Sequence, residues 1–235
     1  MSIYFEEPNC RDCNLVFSTV FKKLTVAQLD YLSKNKVCSQ IKKGKTLYKE
    51  GSRITGVYCI NDGILKVYKT GCEGKEQIVK FAKKGDIIGY RSVINGEPAC
   101  TSVKAIEDSA VCYINTQELY GLLKENSELG IELLQIACAE LDEANNYLTD
   151  IAQKSVRERL AEILLKLQDD FGTDKEGIIN ITLTREELAN IIGTATESVI
   201  RLLSEFRNEG LVDLQGRKVK ILNIQKLKKI SNVFK

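Results

Sequence analysis

The chain contains no histidine among its 235 residues. That absence removes the usual general base, the commonest zinc and haem ligand, and every Ser-His or Cys-His nucleophile pair, so an enzyme is not expected. Nor is there a run of the roughly 18 to 20 apolar residues that a membrane-spanning helix needs. The start, Met1-Ser2-Ile3-Tyr4-Phe5-Glu6-Glu7, has neither the basic region nor the apolar core of a secretory signal. The expectation is a cytoplasmic protein with no membrane partner. An excess of charge is missing too. At a formal net charge of +2 the chain is no polycation, so nucleic-acid binding has to be argued from local pattern.

Turning to what is present, 43% hydrophobic and 28% charged residues suffice for one large domain or two ordinary ones, each with its own core. The eight cysteines are Cys10, Cys13, Cys38, Cys59, Cys72, Cys100, Cys112 and Cys138. In a reducing compartment a disulfide framework is the weaker reading, and metal, cluster and redox roles stay open beside plain reduced thiols.

From Lys42 to Ile114, short apolar runs alternate with glycine or charged turns: 46–48, 56–60, 64–68, 77–81, 102–105 and 110–114. Short strands at this spacing predict a jelly roll. The pattern then becomes helical, first over 117–125 and then over 128–152. Within the longer segment Leu134, Ala137, Leu141, Ala144, Leu148 and Ile151 recur at spacings of three and four, the a/d stripe of a helix that packs on a partner helix. A stripe that merely covers the β domain is the competing reading. A polar break at Gln153-Lys154 precedes a further helical period from Ser155 to Asp170. The expected division is therefore a β-roll with a short N-terminal helical segment at 1–115, a connecting and dimerisation helix at 116–152, and a DNA-binding domain at 153–235. The fold class is α+β.

The most informative stretch follows a predicted loop at 172–177 and a predicted strand at 178–183. Thr184-Arg185-Glu186-Glu187 is a capping box, which starts a helix at Arg185, and Gly193 suits the left-handed residue that ends one. Thr194-Ala195-Thr196-Glu197 repeats the box. Two capped helices joined by a tight glycine turn predict a helix-turn-helix whose second helix, Ala195 to Asn208, enters the major groove by its N-terminal end. Val199, Leu202, Leu203 and Phe206 form its inner face, and Thr196, Glu197, Ile200, Arg201 and Ser204 turn outward. Arg201 suits the O6 and N7 of guanine and Glu197 the amino group of cytosine, although the two also have the spacing of an ordinary solvated ion pair. Residues 211–214 and 218–222 around Gln215-Gly216 read as a two-stranded wing, whose Arg217, Lys218 and Lys220 are candidate phosphate contacts, although any solvated hairpin carries a basic face of this kind. Thr184 and Thr194 are further candidate phosphate contacts.

Taken together, residues 44–51, 63–68, 76–78, 85–89 and 185–206 resemble the Crp/Fnr family of bacterial regulators. Its most specific stretches here are Val156-Arg157-Glu158-Arg159-Leu160-Ala161 and Gly193 to Arg201, which are similar to a branch common in the Bacteroidetes. The resemblance implies a homodimer with a cyclic-nucleotide-binding-like β-roll, a central dimer helix, and winged helix-turn-helix heads on a palindrome of double-stranded DNA. RNA polymerase is the expected further partner. Glu197 and Arg201 match the family's base-reading pair. Ile200 stands where the Fnr type carries Ser and the cyclic-AMP type Gly, and it suits a thymine methyl.

The resemblance also locates an effector pocket at Gly89, Tyr90, Arg91, Cys100 and Thr101. Cyclic-AMP-binding members hold the nucleotide with a Gly-Glu pair and an Arg-Ser pair, where this chain has Gly89-Tyr90 and Ala99-Cys100. Without the phosphate-binding Arg, cyclic AMP is not expected as effector; Arg91 is the one nearby substitute. In the oxygen-sensing Fnr type a [4Fe-4S] cluster is held by N-terminal cysteines and one from the β-roll, and Cys10, Cys13 and Cys112 match three of those positions. Thr19 occupies the place of the remaining cysteine. Another cysteine, Cys38, Cys59, Cys72, Cys100 or Cys138, or a carboxylate such as Asp12, would have to complete the set. Against this, Cys59 and Cys112 lie inside strand patterns and read as core side chains.

A reading from a different class is a metabolite-binding or enzymatic jelly roll with an incidental helical tail. The missing histidines and the two successive capping boxes argue against it.

Overall fold

A computed structural model describes residues 8–11, 13 and 20–231. The chain forms two compact units that divide inside a long helix, after Asp142.

In the first unit a 3-10 turn (Val20–Lys23) and α1 (Val26–Asn35) lead into eight strands: β1 (Val37–Ile41), β2 (Thr46–Tyr48), β3 (Gly56–Asp62), β4 (Leu65–Thr70), β5 (Glu76–Ala82), β6 (Ile87–Ile88), β7 (Ser102–Ala105) and β8 (Ser109–Asn115). The short helix α2 (Tyr90–Asn95) falls between β6 and β7. The strands pair as two antiparallel four-stranded sheets, β1-β8-β3-β6 and β2-β7-β4-β5, which is the jelly roll the glycine-punctuated runs predict. The short strands β1 and β6 and the helix α2 lie outside the six predicted runs. Between the sheets sits a core of Ile60, Leu65, Val67, Ile88, Val103 and Val111.

The β1-β8-β3-β6 sheet is apolar on its second face as well. Val57 of β3, Ile87 of β6 and Ile114 of β8 belong to another core, closed by Phe21, Leu29 and Leu32 from the N-terminal helices. Leu119 and Leu122 of α3 (Thr116–Glu125) and Leu129 and Leu133 of α4 (Ser127–Gln153) complete it. The capping box of Thr25 and Gln28 starts α1, so the elements covering this face are fixed locally as well as by packing.

The second unit contains α5 (Val156–Phe171), α6 (Arg185–Ile192), α7 (Thr196–Asn208), the hairpin β9 (Val212–Gln215) and β10 (Lys218–Ile221), and α8 (Ile224–Ile230). Leu160 and Leu164 of α5, Leu188 and Ile192 of α6, and Val199, Leu203 and Phe206 of α7 are buried. Fully burying Phe206 alone is worth roughly 1.5–3 kcal/mol relative to leaving it exposed.

Two local expectations are corrected. Residues 178–183 form no strand: Ile178 and Ile179 make only isolated bridges, to Lys220 and Thr173. Both are buried, which breaks the alternation a half-buried strand requires, and Asn180 folds back to bond Phe171 and Gly172. Nor does Thr194 cap the second helix. The N-cap of α7 is Ala195, without a side-chain cap bond, and the helix starts at Thr196. Gly193, left-handed at φ 67°, ends α6, and Thr194 is held in the turn by its amide bond to the Ala189 carbonyl, so the helix cannot begin one residue earlier.

Candidate DNA interface and sensor pocket

Three arginines hold the helix-turn-helix together. The guanidinium of Arg159, on the first turn of α5, is buried; its Nε donates to the Ile192 carbonyl at 3.0 Å and its Nη1 to the Lys154 carbonyl at 2.7 Å. One side chain thereby satisfies carbonyls at the ends of two helices, where the helical ladder leaves them without partners. Arg185, second residue of the capping box on α6, donates to the Gly216 carbonyl at 2.7 Å and so fixes the tip of the wing; burial pulls its pKa down. Arg157 packs over the ring of Phe206, 4.7 Å from its centroid, and bonds both oxygens of Glu209 at 2.7 Å.

On this frame α7 presents the face expected of it. Val199, Leu202, Leu203 and Phe206 are buried, while Glu197, Ile200, Arg201 and Ser204 are exposed and Thr196 is half-buried. The ion pair on that face is not the one the spacing suggests. Arg201 donates to Glu205, one turn later, at 2.7 Å, and Glu205 also accepts from Arg157 at 3.3 Å. Arg157, Arg185 and Glu205 carry contacts that sequence reasoning assigned to no residue; the only signal was the Val156 to Ala161 stretch, read as a motif without a role.

The candidate phosphate contacts divide. Arg217 and Lys218 are exposed at the two-residue tip and start of the wing, and Lys220 is half-buried against the loop at Gly177. Thr184 is committed inside its helix: its hydroxyl donates to Glu187 at 3.0 Å while accepting the Glu187 amide at 3.0 Å. Thr194 is half-buried in the turn.

In the first unit Gly89 is left-handed at φ 83° and begins α2, which places Tyr90 inside the domain and Arg91 outside it. The left-handed backbone favours glycine at this position, and a Cβ there would also press on the terminal methyl of Ile54 at 3.0 Å. The Tyr90 hydroxyl is buried and faces Glu140, and burial, then the charge of Glu140, raises its pKa. Glu140 of α4 lies 2.5 Å from Lys80 and 4.0 Å from Arg91, so the substitute cation already faces a carboxylate. Cys100 and Thr101 are half-buried, and the Cys100 carbonyl accepts from Lys69.

The cysteines converge more than strand periodicity suggests. Cys10, Cys13, Cys59 and Cys112 line one cavity with Lys36 and Asn61, over an apolar floor that includes Phe21, Leu32 and Ile114. Residues 8–11 are pinned over it: the Cys10 amide donates to Ser33 at 2.7 Å, the Lys36 ammonium to the Pro8 carbonyl at 2.5 Å, and Arg11 pairs with Asp30. Burial pushes the Cys59 thiol up to about 12 and raises Cys10, while contact with Cys38, then burial, raises Cys112. At neutral pH Cys10, Cys59 and Cys112 are therefore protonated thiols. Cys72 and Cys138 are exposed, and Cys100 does not line the cavity. Asp12 and Thr19 lie outside the described residues. Among the described residues no three Cys, Asp or Glu side chains lie close enough to hold a single metal ion.

Along α4 the a/d stripe is uncovered. Leu134, Leu141 and Leu148 are 64%, 60% and 66% exposed, Ile151 and Ala144 are exposed, and only Ala137 packs against the core. The core is met instead by Leu129, Leu133 and Ile136. No helix among the described residues is long and apolar enough to cross a membrane.

Comparison with known proteins agrees with this geometry. Residues 38–126 match the cyclic nucleotide-binding domain and residues 158–230 the Crp-like helix-turn-helix domain. The chain is 28% identical over 234 residues to the fumarate and nitrate reduction regulatory protein of Vibrio cholerae, covering 97% of this chain and 92% of that protein. It is also 28% identical over 221 residues to the transcriptional activator protein anr of Pseudomonas aeruginosa, covering 92% and 90% of the two. Among solved structures, FixK2 from Bradyrhizobium japonicum superimposes with a TM-score of 0.76 at 23% identity, covering 85% of this chain and 99% of that one. With an eight-stranded β-roll, a helix-turn-helix exposing Glu197 and Arg201, and matches to both modules, the chain belongs to the Crp/Fnr family of DNA-binding transcription regulators.

Proposed function

We propose that this regulator works in the cytoplasm as a homodimer joined along α4, binding a DNA palindrome whose half-sites lie about one helical turn apart. RNA polymerase is its further partner. On each head Glu197, Ile200 and Arg201 read bases with Thr196 beside them, and Arg217, Lys218 and Lys220 contact phosphates.

We propose further that the signal is redox or oxygen acting on an iron–sulfur cluster, and not a cyclic nucleotide. The observation that carries this choice is the gathering of Cys10, Cys13, Cys59 and Cys112 around one cavity. The donor set fits: thiolates are the usual ligands of such clusters, and the matched cysteines Cys10, Cys13 and Cys112 are all in it. A cluster there would supply an oxygen-labile centre, and the protein's part is to hold Cys10 and Cys13 against the β1-β8-β3-β6 sheet. At the other pocket a cyclic phosphate would meet Glu140 beside Arg91 and find Cys100 where the phosphate-binding pair stands in nucleotide-binding members.

The test is anisotropy titration of a palindromic duplex, selected from a random pool, with protein kept free of oxygen and then exposed to air. Affinity is expected to fall at least tenfold after exposure and to ignore added cyclic AMP. Equal affinity in both states, or tightening by cyclic AMP, would overturn the assigned signal.

A further inference from the structure

Three cysteines form a row across one face of the β1-β8-β3-β6 sheet. Cys112 of β8 stands directly opposite Cys59 of β3 on one side and Cys38 of β1 on the other. Directly opposed residues of an antiparallel pair point to the same face, with Cβ atoms about 4.5–5.5 Å apart. The face is the one that residues 8–11 cover. Of the two neighbours of Cys112, only Cys59 lines the cavity that Cys10 and Cys13 share. Cys38 lies toward the sheet edge, its sulfur 3.2 Å from the Lys36 ammonium.

We propose that Cys59 supplies the fourth thiolate of the cluster, completing a set of Cys10 and Cys13 from the N-terminal segment and Cys59 and Cys112 from adjacent strands. This rests on the cluster reading above and names the ligand that the N-terminal motif lacks. Cys59 is fixed by its strand, with Val57 and Asn61 flanking it on the same face, so half of the ligand set is rigid before any iron arrives. Uptake would be a ligand exchange: each cysteine sulfur would replace a terminal thiolate of a preassembled cluster, its proton passing to the departing thiolate, so that one iron–sulfur bond forms as one breaks and no oxidant or reductant is consumed. Four thiolates leave such a centre anionic. Lys36, buried and lining the same cavity, is the cation that offsets this charge in surroundings otherwise largely apolar.

The experiment is anaerobic purification and reconstitution of the full-length protein, with iron and acid-labile sulfide measured per chain and visible and electron paramagnetic resonance spectra recorded. Wild type, Cys38→Ser, Cys138→Ser, Cys59→Ser and Cys59→Ala are compared, and circular dichroism melts of the metal-free proteins establish that each variant is folded. Wild type, Cys38→Ser and Cys138→Ser are expected to hold about four irons with broad absorption near roughly 400 nm, and both Cys59 variants to lose iron and absorption while remaining folded. Full iron and an unchanged spectrum in folded Cys59→Ala would overturn the assignment, most directly if Cys38→Ser lost the cluster instead. A wild-type protein that takes up no iron, or zinc without sulfide, would remove the cluster reading and this ligand with it. The two failures are thereby distinguished.

Discussion

To read a base as proposed, Arg201 must first leave Glu205. The pair is an exposed i, i+4 ion pair, a class worth about 0.3–0.5 kcal/mol, so the competition is weak but always present. Glu205→Gln is therefore expected to tighten specific binding about twofold in a gel-shift titration, whereas Arg201→Ala costs about 1–3 kcal/mol and relaxes the preference at one base position. If Glu205→Gln binds more weakly than wild type, the carboxylate is serving to position Arg201. Asp86 gives a second test at this scale. Burial raises its pKa above the ordinary value, although it accepts the Lys83 amide at 2.9 Å. A carboxyl whose folded pKa lies above the unfolded one binds protons more tightly in the folded state. Its ionised form therefore opposes folding, with no penalty below the unfolded value of about 3.9 and the full penalty above the folded one. Asparagine keeps the acceptor and removes the charge. Asp86→Asn is expected to melt higher than wild type at neutral pH, the gap closing as pH falls through that window; a constant gap in urea melts across pH would refute the assignment.

Helices were the most legible elements, because a 3.6-residue period and a cap are properties of a dozen neighbouring residues and need no distant partner. The patterns over 117–125 and 128–152 each fall within one residue of α3 and α4 at both ends, and the Thr184 box forms as read. Thr184→Ala is accordingly expected to cost about 1 kcal/mol in thermal or urea unfolding while leaving the salt dependence of DNA binding unchanged, since the hydroxyl serves the helix; a flatter salt slope would return it to the phosphate contacts. The second box failed because capping also needs the chain to approach from the right direction, and the turn at Gly193 and Thr194 sets that direction. At the pocket, alternation along β3 marks which residues share a face but not what covers it. Both faces of this strand are apolar, Ile60 toward one core and Val57 toward the other, so a thiol lining a cavity looked like a core thiol in Cys59. Tight pairing across strands is likewise invisible in a linear pattern, which hid the row of Cys38, Cys112 and Cys59. The α7 face was readable, because its buried stripe is a helical period; the partner chosen by Arg201 was not, because Arg157 joins the network from another helix.

At the scale of the whole molecule, the chain's small net charge and its exposed α4 stripe bear on the same question. One helix-turn-helix head with a few basic contacts binds DNA weakly, and no general polycation surplus makes up the difference. In the dimer proposed above, two heads joined along α4 would convert the second contact into an intramolecular one, raising affinity for a palindrome by about 10² to 10⁴ without new contacts. Leu134, Leu141 and Leu148 recur every seventh residue and are mostly exposed in the single chain, so a lysine at Leu141 leaves its fold intact while setting a charge against its own copy across a two-fold seam. Leu141→Lys is expected to sediment as a monomer at concentrations where wild type is a dimer, with unchanged helix content. Its affinity for a full palindrome should fall at least a hundredfold, to that for an isolated half-site. A wild-type chain that sediments as a monomer yet discriminates full from half palindromes would mean that DNA itself assembles the pair. In that case the Leu141→Lys penalty should persist in the DNA titration even though no dimer forms in free solution, and a variant binding the palindrome as tightly as wild type would show that α4 is not the seam.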